Sequence, residues 1–300
     1  MTSASNNIVC SFSNGNTLVT LFEDGTKVRE YEGNPLPVFP ETIDLKLTDH
    51  CDLGCKFCHE SSTVSGQHGD LKLLLKSLEP LPKGIELALG GGDALSHPDF
   101  LDFVRECKFQ GWICNLTINQ GHLNRYSDML RMLVKDELVK GIGVSITSKN
   151  YKLASFLFDL TPHIVFHVIA GVHGIDVLQD LHAMFGRVNV LILGYKRHGF
   201  GVSFYDEGIE KKIKQWYMHL PRYFDAMHLS FDNLAIEQLN MKRFFTESGW
   251  ERFYLGDDFS FSMYIDAVRQ EYSPTSRTFS GRRSISDMGL IDYFQQFRNQ

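Results

Sequence analysis

The sequence predicts an α/β fold: a parallel sheet with outer helices, either doubly wound or curled into a barrel. Three observations carry this. From residue 42 to 205 short apolar runs alternate with amphipathic stretches, the rhythm of repeated βα units. Before that, Asn14-Gly15 and Asp24-Gly25 separate three alternating runs, the signal of a small antiparallel meander. Beyond residue 205 the pattern loosens into mixed helix and strand.

The meander consists of "IVCSFS", "TLVTLFED" and "TKVREYE", and "GNPLPVFPE" is a proline-stiffened linker. Strands follow at 42–48, 85–90, 112–118, 141–147, 163–170 and 188–194. Between them, "HPDFLDFVRECKFQG" carries Pro98 near its start and Gly111 past its end, the expected helix punctuation. "YSDMLRMLVKDEL" and "GIDVLQDLHAMFG" show helical apolar spacing. Further on, "EGIEKKIKQWYMHL" and "NLAIEQLNMKRFF" read as helices, "AMHLSFD" and "FSFSMYID" as strands, and the tail from Ser273 as weakly periodic. This divides the chain into a meander (1–38), a βα core (39–205) and an α+β extension (206–300) that is expected to cover the mouth of the core.

The 300 residues are 43% hydrophobic and 22% charged, with net charge −6. That is globular composition, and its acidic balance disfavours long nucleic acid. The first sixteen residues lack a secretory pattern, and no apolar run approaches the ~18 residues of a membrane span. The expected compartment is a reducing cytoplasm, where clustered cysteines serve metal binding or catalysis.

Cys51, Cys55 and Cys58 are such a cluster, in "TDHCDLGCKFCHE". They follow the first strand of the βα series, at the end where ligands of parallel sheets sit. Three thiolates can hold three irons of a [4Fe–4S] cube and leave the fourth iron open. The alternative is a zinc site completed by His50 or His59 in a non-enzymatic, zinc-stabilised α/β binding protein. The second strand ends in Gly90-Gly91-Gly92-Asp93, where glycines admit close backbone approach and a carboxylate can meet an ammonium.

The spacing C-x3-C-x2-C with Phe57 before the last cysteine resembles the signature of the radical S-adenosylmethionine (radical SAM) superfamily. The resemblance implies a partial (β/α)6-type TIM barrel, one [4Fe–4S] cluster and S-adenosylmethionine (SAM) on its open iron. Reductive cleavage of SAM would give a 5′-deoxyadenosyl radical that abstracts hydrogen from substrate, with an electron donor such as flavodoxin or ferredoxin. It places Phe57 near the adenine, and Gly91, Gly92 and Asp93 at the SAM amino group. There the sequence has Asp where the family has Glu. "NLTINQG" is similar to the family's Thr-Asn-Gly element and offers Asn119. Ser145 matches a position near ribose or carboxylate, and Gly194 and Tyr195 lie where adenine is supported.

Asp232, Tyr264 and Asp266 stand at late strand ends and are the candidate catalytic and substrate-contact residues, although Asp232 also suits a helix N-cap. His68 is expected to cap the helix that starts near Asp70. Arg277, Arg282 and Arg283 suit an anion or a solvated tail. Cys10, Cys107 and Cys114, and His163, His167 and His182, read as packed or surface residues. The substrate is a small molecule, a nucleotide or a peptide. The lack of further clustered cysteines disfavours peptide modifiers with auxiliary clusters.

Overall fold

The amino-terminal runs form β1 (Ile8–Asn14), β2 (Thr17–Phe22) and β3 (Lys27–Tyr31), an antiparallel meander in that order. Gly15 and Gly25 take φ of 62° and 87° at the two turns, the region that glycine enters without steric cost. Asn14 is buried; its Oδ1 accepts from the Val38 amide (2.8 Å) and its Nδ2 donates to the Phe39 carbonyl (2.9 Å), fastening the linker to the meander. The computed structural model describes residues 7–254 and 256–298, so the first six residues of the expected meander lie outside the described residues.

The βα series runs β4 (Thr42–Lys46), α1 (Leu71–Leu78), β5 (Glu86–Gly90), α2 (Phe100–Gln110), β6 (Ile113–Asn119) and α3 (Ser127–Lys135). It continues through β7 (Gly141–Ser145), a 3-10 segment (Tyr151–Asp159), β8 (Ile164–Ile169), α4 (Asp176–Phe185) and β9 (Asn189–Leu193). All six predicted strands are present; five are trimmed by one or two residues, and β6 is shifted by one and keeps seven. The helix stripe of α2 buries Phe100, Phe103, Val104 and Cys107, and Gly111 ends it at φ 80°. Each large side chain so buried contributes about 1.5–3 kcal/mol.

The rest of the chain gives α5 (Gly201–Phe204), α6 (Glu207–His219), β10 (His228–Phe231), α7 (Asn233–Gln238), α8 (Glu247–Phe253), β11 (Ser262–Asp266), β12 (Glu271–Ser273), β13 (Arg283–Ser284) and α9 (Leu290–Arg298). Its strands join the same sheet, in the order β10-β9-β8-β7-β6-β5-β4-β11-β12-β13. Strands β4 to β10 and β11 are parallel, which makes eight parallel strands among the described residues rather than the six read from the sequence. β12 and β13 add antiparallel at one edge. The order has two free ends, so the barrel is partial. The two extra parallel members, β10 and β11, were read as strands of the extension; what the sequence did not reveal is that they pair with β9 and β4.

Two other expectations change. The stretch 233–245 is not one helix: Asn240, at φ 49°, separates α7 from a 3-10 turn over Met241–Phe244. The tail is not loose at its end. α9 buries Leu290, Tyr293 and Phe294, and Arg298 donates to the Pro35 and Pro37 carbonyls.

The faces of the sheet differ in a way that locates the site. In β8, Ile164, Phe166 and Val168 are buried under helices, whereas Val165, His167 and Ile169 are half-buried on the opposite face. β5, β6 and β7 alternate likewise. The half-buried face is the lumen of the partial barrel.

Candidate functional site

The cysteine loop leaves the carboxyl end of β4 and is tied at its stem. Asp49 N–H donates to the Gln67 carbonyl (2.8 Å), Cys51 N–H to the Thr63 carbonyl (2.9 Å) and Thr63 N–H to the Asp49 carbonyl (3.1 Å). Gly66 makes that crossing possible, since a Cβ there would lie 2.1 Å from the Asp49 oxygen. Cys51, Cys55 and Cys58 are half-buried free thiols. Burial pushes the Cys51 and Cys55 thiols up, and the neighbouring thiols of the trio add to it. Three soft donors on one loop, close enough to repel one another when ionised, form a donor set that suits iron and sulfide.

The loop after β5 closes against this stem. Gly92 N–H donates to the Thr48 carbonyl (2.7 Å) and Asp93 N–H to the His50 carbonyl (2.6 Å). A Cβ on Gly91 would lie 2.6 Å from the Thr48 oxygen, and one on Gly92 2.2 Å from the His50 oxygen. These glycines therefore permit two loops to interlock, a role that the motif alone does not reveal. Asp93 is 3% exposed, and its Oδ2 accepts from the Tyr126 hydroxyl (2.7 Å). Burial and Asp93 push the Tyr126 hydroxyl up to about 12. His122 and Arg125 stand 3.7 and 3.6 Å from Asp93 Oδ2 and also bind Asp52, at 2.7 and 2.5 Å. Asp52, between the cysteines, is thus linked to the glycine loop through residues that the motifs did not mark.

Asn119, at the end of β6, accepts from Gly121 N–H (2.9 Å) and the Thr147 hydroxyl (3.1 Å), while its Nδ2 points to Cys55 Sγ at 3.8 Å. Ser145 is its register partner on β7, and His167 follows on β8. The segment after β9 clamps the loop from the other side, with Phe200 N–H donating to the Cys58 carbonyl (3.0 Å). Gly199 fits because a Cβ would meet His59 O and Ser61 Oγ, both at 2.5 Å. Phe57 packs its ring 5.8 Å from Phe204, and a cleft of ≈ 350 Å³ lies there between Gly54, Cys55, Lys56, Phe200, Ser203 and Phe204. Gly194 and Tyr195 are engaged by protein: Gly194 N–H donates to Asp232 (2.9 Å), and the Tyr195 hydroxyl donates to the Gly201 carbonyl (2.6 Å).

Tyr264 and Asp266 come together in one network, and Asp232 stands outside it. Lys46 Nζ sits 2.7 Å from Asp49, 2.9 Å from Glu60 and 3.2 Å from Asp266. Burial alone would lower the Lys46 pKa, but these carboxylates outweigh it and the net shift is upward. The Tyr264 hydroxyl donates to Glu60 (3.2 Å), and Arg282 lies 3.7 Å from Asp266. His59 Nε2 is 3.2 Å from Glu60 and 3.3 Å from Lys196 Nζ, which donates to Ser276 at 2.8 Å. Asp232 is the N-cap of α7, accepting from Ala235 N–H (2.7 Å). His68 does not cap α1. Asp70 does so, and His68 Nδ1 meets the Thr48 hydroxyl at 2.9 Å. Arg277 binds Asp258 and Glu237, and Arg282 binds Glu271, so these two tail arginines are not free anion sites. Lys46 and Glu60 were missed, yet a lysine inside "TIDLKLT" and a glutamate after "CH" were visible signals.

No protein-family model matches the chain. An alignment 139 residues long, covering 43% of the chain, is 29% identical to the tungsten-containing aldehyde ferredoxin oxidoreductase cofactor-modifying protein of Pyrococcus furiosus. The match spans 35% of that relative, about a third of its length. The fold is shared with Streptococcus suis SuiB, at TM-score 0.64 and 10% identity over 97% of this chain and 87% of that one. It is also shared with SuiB bound to S-adenosylmethionine (TM-score 0.61, 11% identity) and with SuiB bound to the precursor peptide SuiA (0.60, 11%). Each of those two matches covers 87% of this chain and just under two thirds of the SuiB chain, 66% and 65%. At 10–11% identity these likenesses show a shared fold. Among the described residues no helix is long and apolar enough to cross a membrane.

Proposed function

We propose that the chain is a radical SAM enzyme whose Cys51, Cys55 and Cys58 hold three irons of a single [4Fe–4S] cluster. The observation that carries this is the interlock of the three-cysteine loop with the Gly91-Gly92-Asp93 loop at the carboxyl ends of β4 and β5. Bound there, cluster and SAM would supply reductive cleavage to a 5′-deoxyadenosyl radical able to take hydrogen from substrate. The chain's own residues hold and orient. Asn119 bridges Cys55 to the end of β7, Tyr126 holds Asp93, and Phe200 closes the loop over Cys58. Tyr126 holds Asp93 Oδ2, and contact with the SAM amino group is assigned to the other carboxylate oxygen, to the loop backbone or to a bridging water. Ser145, with its side chain on the lumen face, is assigned to the SAM ribose or carboxylate.

The rings proposed to complete a zinc site have partners elsewhere. His50 Nδ1 meets Ser96 Oγ at 3.1 Å, and His59 Nε2 lies between Glu60 and Lys196. Cys51, Asp52 and His122 do offer ligand atoms within 4.8 Å of one another, but Asp52 and His122 are committed to each other and Asp52 to Arg125. A peptide substrate has support from the SuiA complex of SuiB, and a small-molecule substrate from the cofactor-modifying relative. A flavodoxin or ferredoxin is the proposed electron donor. Anaerobic reconstitution with iron and sulfide, then reduction with SAM present, tests the reading. It expects four irons per chain and 5′-deoxyadenosine by mass spectrometry. One tightly held zinc and no deoxyadenosine from a reduced, loaded preparation would overturn it.

A further inference from the structure

On the radical SAM reading, the lumen beneath the cysteine loop is the substrate chamber, and one residue of its wall is out of place. Parallel strands buried on both faces are normally apolar. In β4, Ile43 and Leu45 are buried at 0% and 2% exposure under the helices, while Asp44 and Lys46 take the lumen face. Lys46 has three carboxylate partners. Asp44, flanked in register by Tyr264 on β11 and Ala88 on β5, makes no hydrogen bond or ion pair among the described residues. Its side chain is walled by protein yet open to water.

The other charges of the chamber are occupied. Asp232 caps α7, Asp258 is held by Arg277 and Asn233, and Lys196 is turned to Ser276 and His59. Burial pushes the Asp44 carboxyl above its ordinary range; Lys196 opposes this, and Asp232 and Asp258 add to it. Its ionised form is thus disfavoured, and no cation among the described residues pairs with it. The small Ala88 beside it leaves space for a partner.

We propose that Asp44 is the substrate-recognition group of the chamber and that the substrate carries a cation there, an ammonium or guanidinium, on a peptide or on a free amine. A charge-assisted hydrogen bond to a ligand cation would give Asp44 the partner that the protein withholds.

Affinity selection on the cluster-loaded, SAM-bound chain tests this. The probe is an end-blocked hexapeptide library whose central position is Lys, Arg, norleucine or Glu, with cadaverine titrated separately by calorimetry. We expect at least tenfold retention of Lys or Arg members over norleucine and Glu members, and levelling of that preference by Asp44→Asn. Cadaverine binding without peptide retention, lost in Asp44→Asn, assigns the free amine as the source and equally supports the proposal. Retention of norleucine or Glu members equal to Lys, retention of neither peptide nor cadaverine, or an unaltered preference in Asp44→Asn overturns it. Should Asp44→Asn melt early, Asp44→Glu keeps the charge and must keep the preference. Deoxyadenosine formation by the same wild-type preparation separates the two readings. Cleavage of SAM without cation preference removes the Asp44 assignment alone, and preference without cleavage removes the radical reading alone.

Discussion

Lys46 and Asp44 stand two residues apart on the same face of the same strand, and they live in opposite circumstances. Lys46, at the mouth, is 4% exposed and held by Asp49, Glu60 and Asp266. Asp44, one layer deeper, has no protein partner among the described residues. The mouth is built of paired charges, interlocked glycine loops and buried caps; the chamber wall carries one carboxylate that none of the described residues pairs with. Charges that satisfy one another build scaffold, and charges left over are where a ligand is to be sought.

The largest break in this contrast comes from the mouth. Cys51→Ala, Cys55→Ala or Cys58→Ala each removes one of three thiolates and should abolish iron loading, with deoxyadenosine falling to background, while circular dichroism stays native. Normal iron content in any one of them would show that the trio is not the ligand set. Lys46→Met comes next. It strands Asp49, Glu60 and Asp266 around an apolar side chain, and breaking a buried pair costs about 3–5 kcal/mol. Urea unfolding should show the midpoint drop. A loss under about 1 kcal/mol would mean that the network is ornamental.

How much of this was legible in the sequence follows the same division. The six strands of the βα series and the glycine-ended α2 were readable because periodicity and punctuation are local. The cysteine loop and Gly91-Gly92-Asp93 were readable as motifs, but not the reason for the glycines, which is a contact between loops some forty residues apart. β10 and β11 were readable as strands and unreadable as members of the central sheet: β10 pairs with β9 across a helical insertion, and β11 pairs with β4 across more than 200 residues, which leaves no local trace. α9 had the Leu290, Tyr293, Phe294 spacing and was obscured by the polar residues before it. Asp44 and Lys46 in "TIDLKLT" were visible anomalies whose opposite fates only the fold separates.

A smaller effect sharpens the lumen side. His167 lies over Gly143, where a Cβ would sit 2.4 Å from its ring, and no charged side chain acts on it among the described residues. Burial lowers its pKa from 6.5 to about 4. Between those values the unfolded chain binds a proton that the folded chain refuses, so stability is complete above pH 6.5 and falls as pH drops towards 4. Each tenfold loss of proton affinity is worth ~1.4 kcal/mol, so the whole effect is at most about 3 kcal/mol, and less where lumen water screens the ring. His167→Leu should flatten the difference between urea midpoints at pH 7 and pH 5 relative to wild type. An unchanged slope would place the acid sensitivity in another group.

The smallest effect is the most telling, because its sign is opposite to that of Lys46→Met. If Asp44 waits for a ligand, the free protein carries a carboxylate it would be more stable without. Asp44→Leu then raises the urea midpoint, by about 0.5–1 kcal/mol, the usual gain when a functional group is traded for an apolar one at a site that can accept it. The side chain has Ala88 on one flank, so a leucine enters without the overpacking that a full core would impose. A fall in stability instead would mean that Asp44 is held by the protein after all. In that case the two ends of β4 would differ in depth and not in purpose.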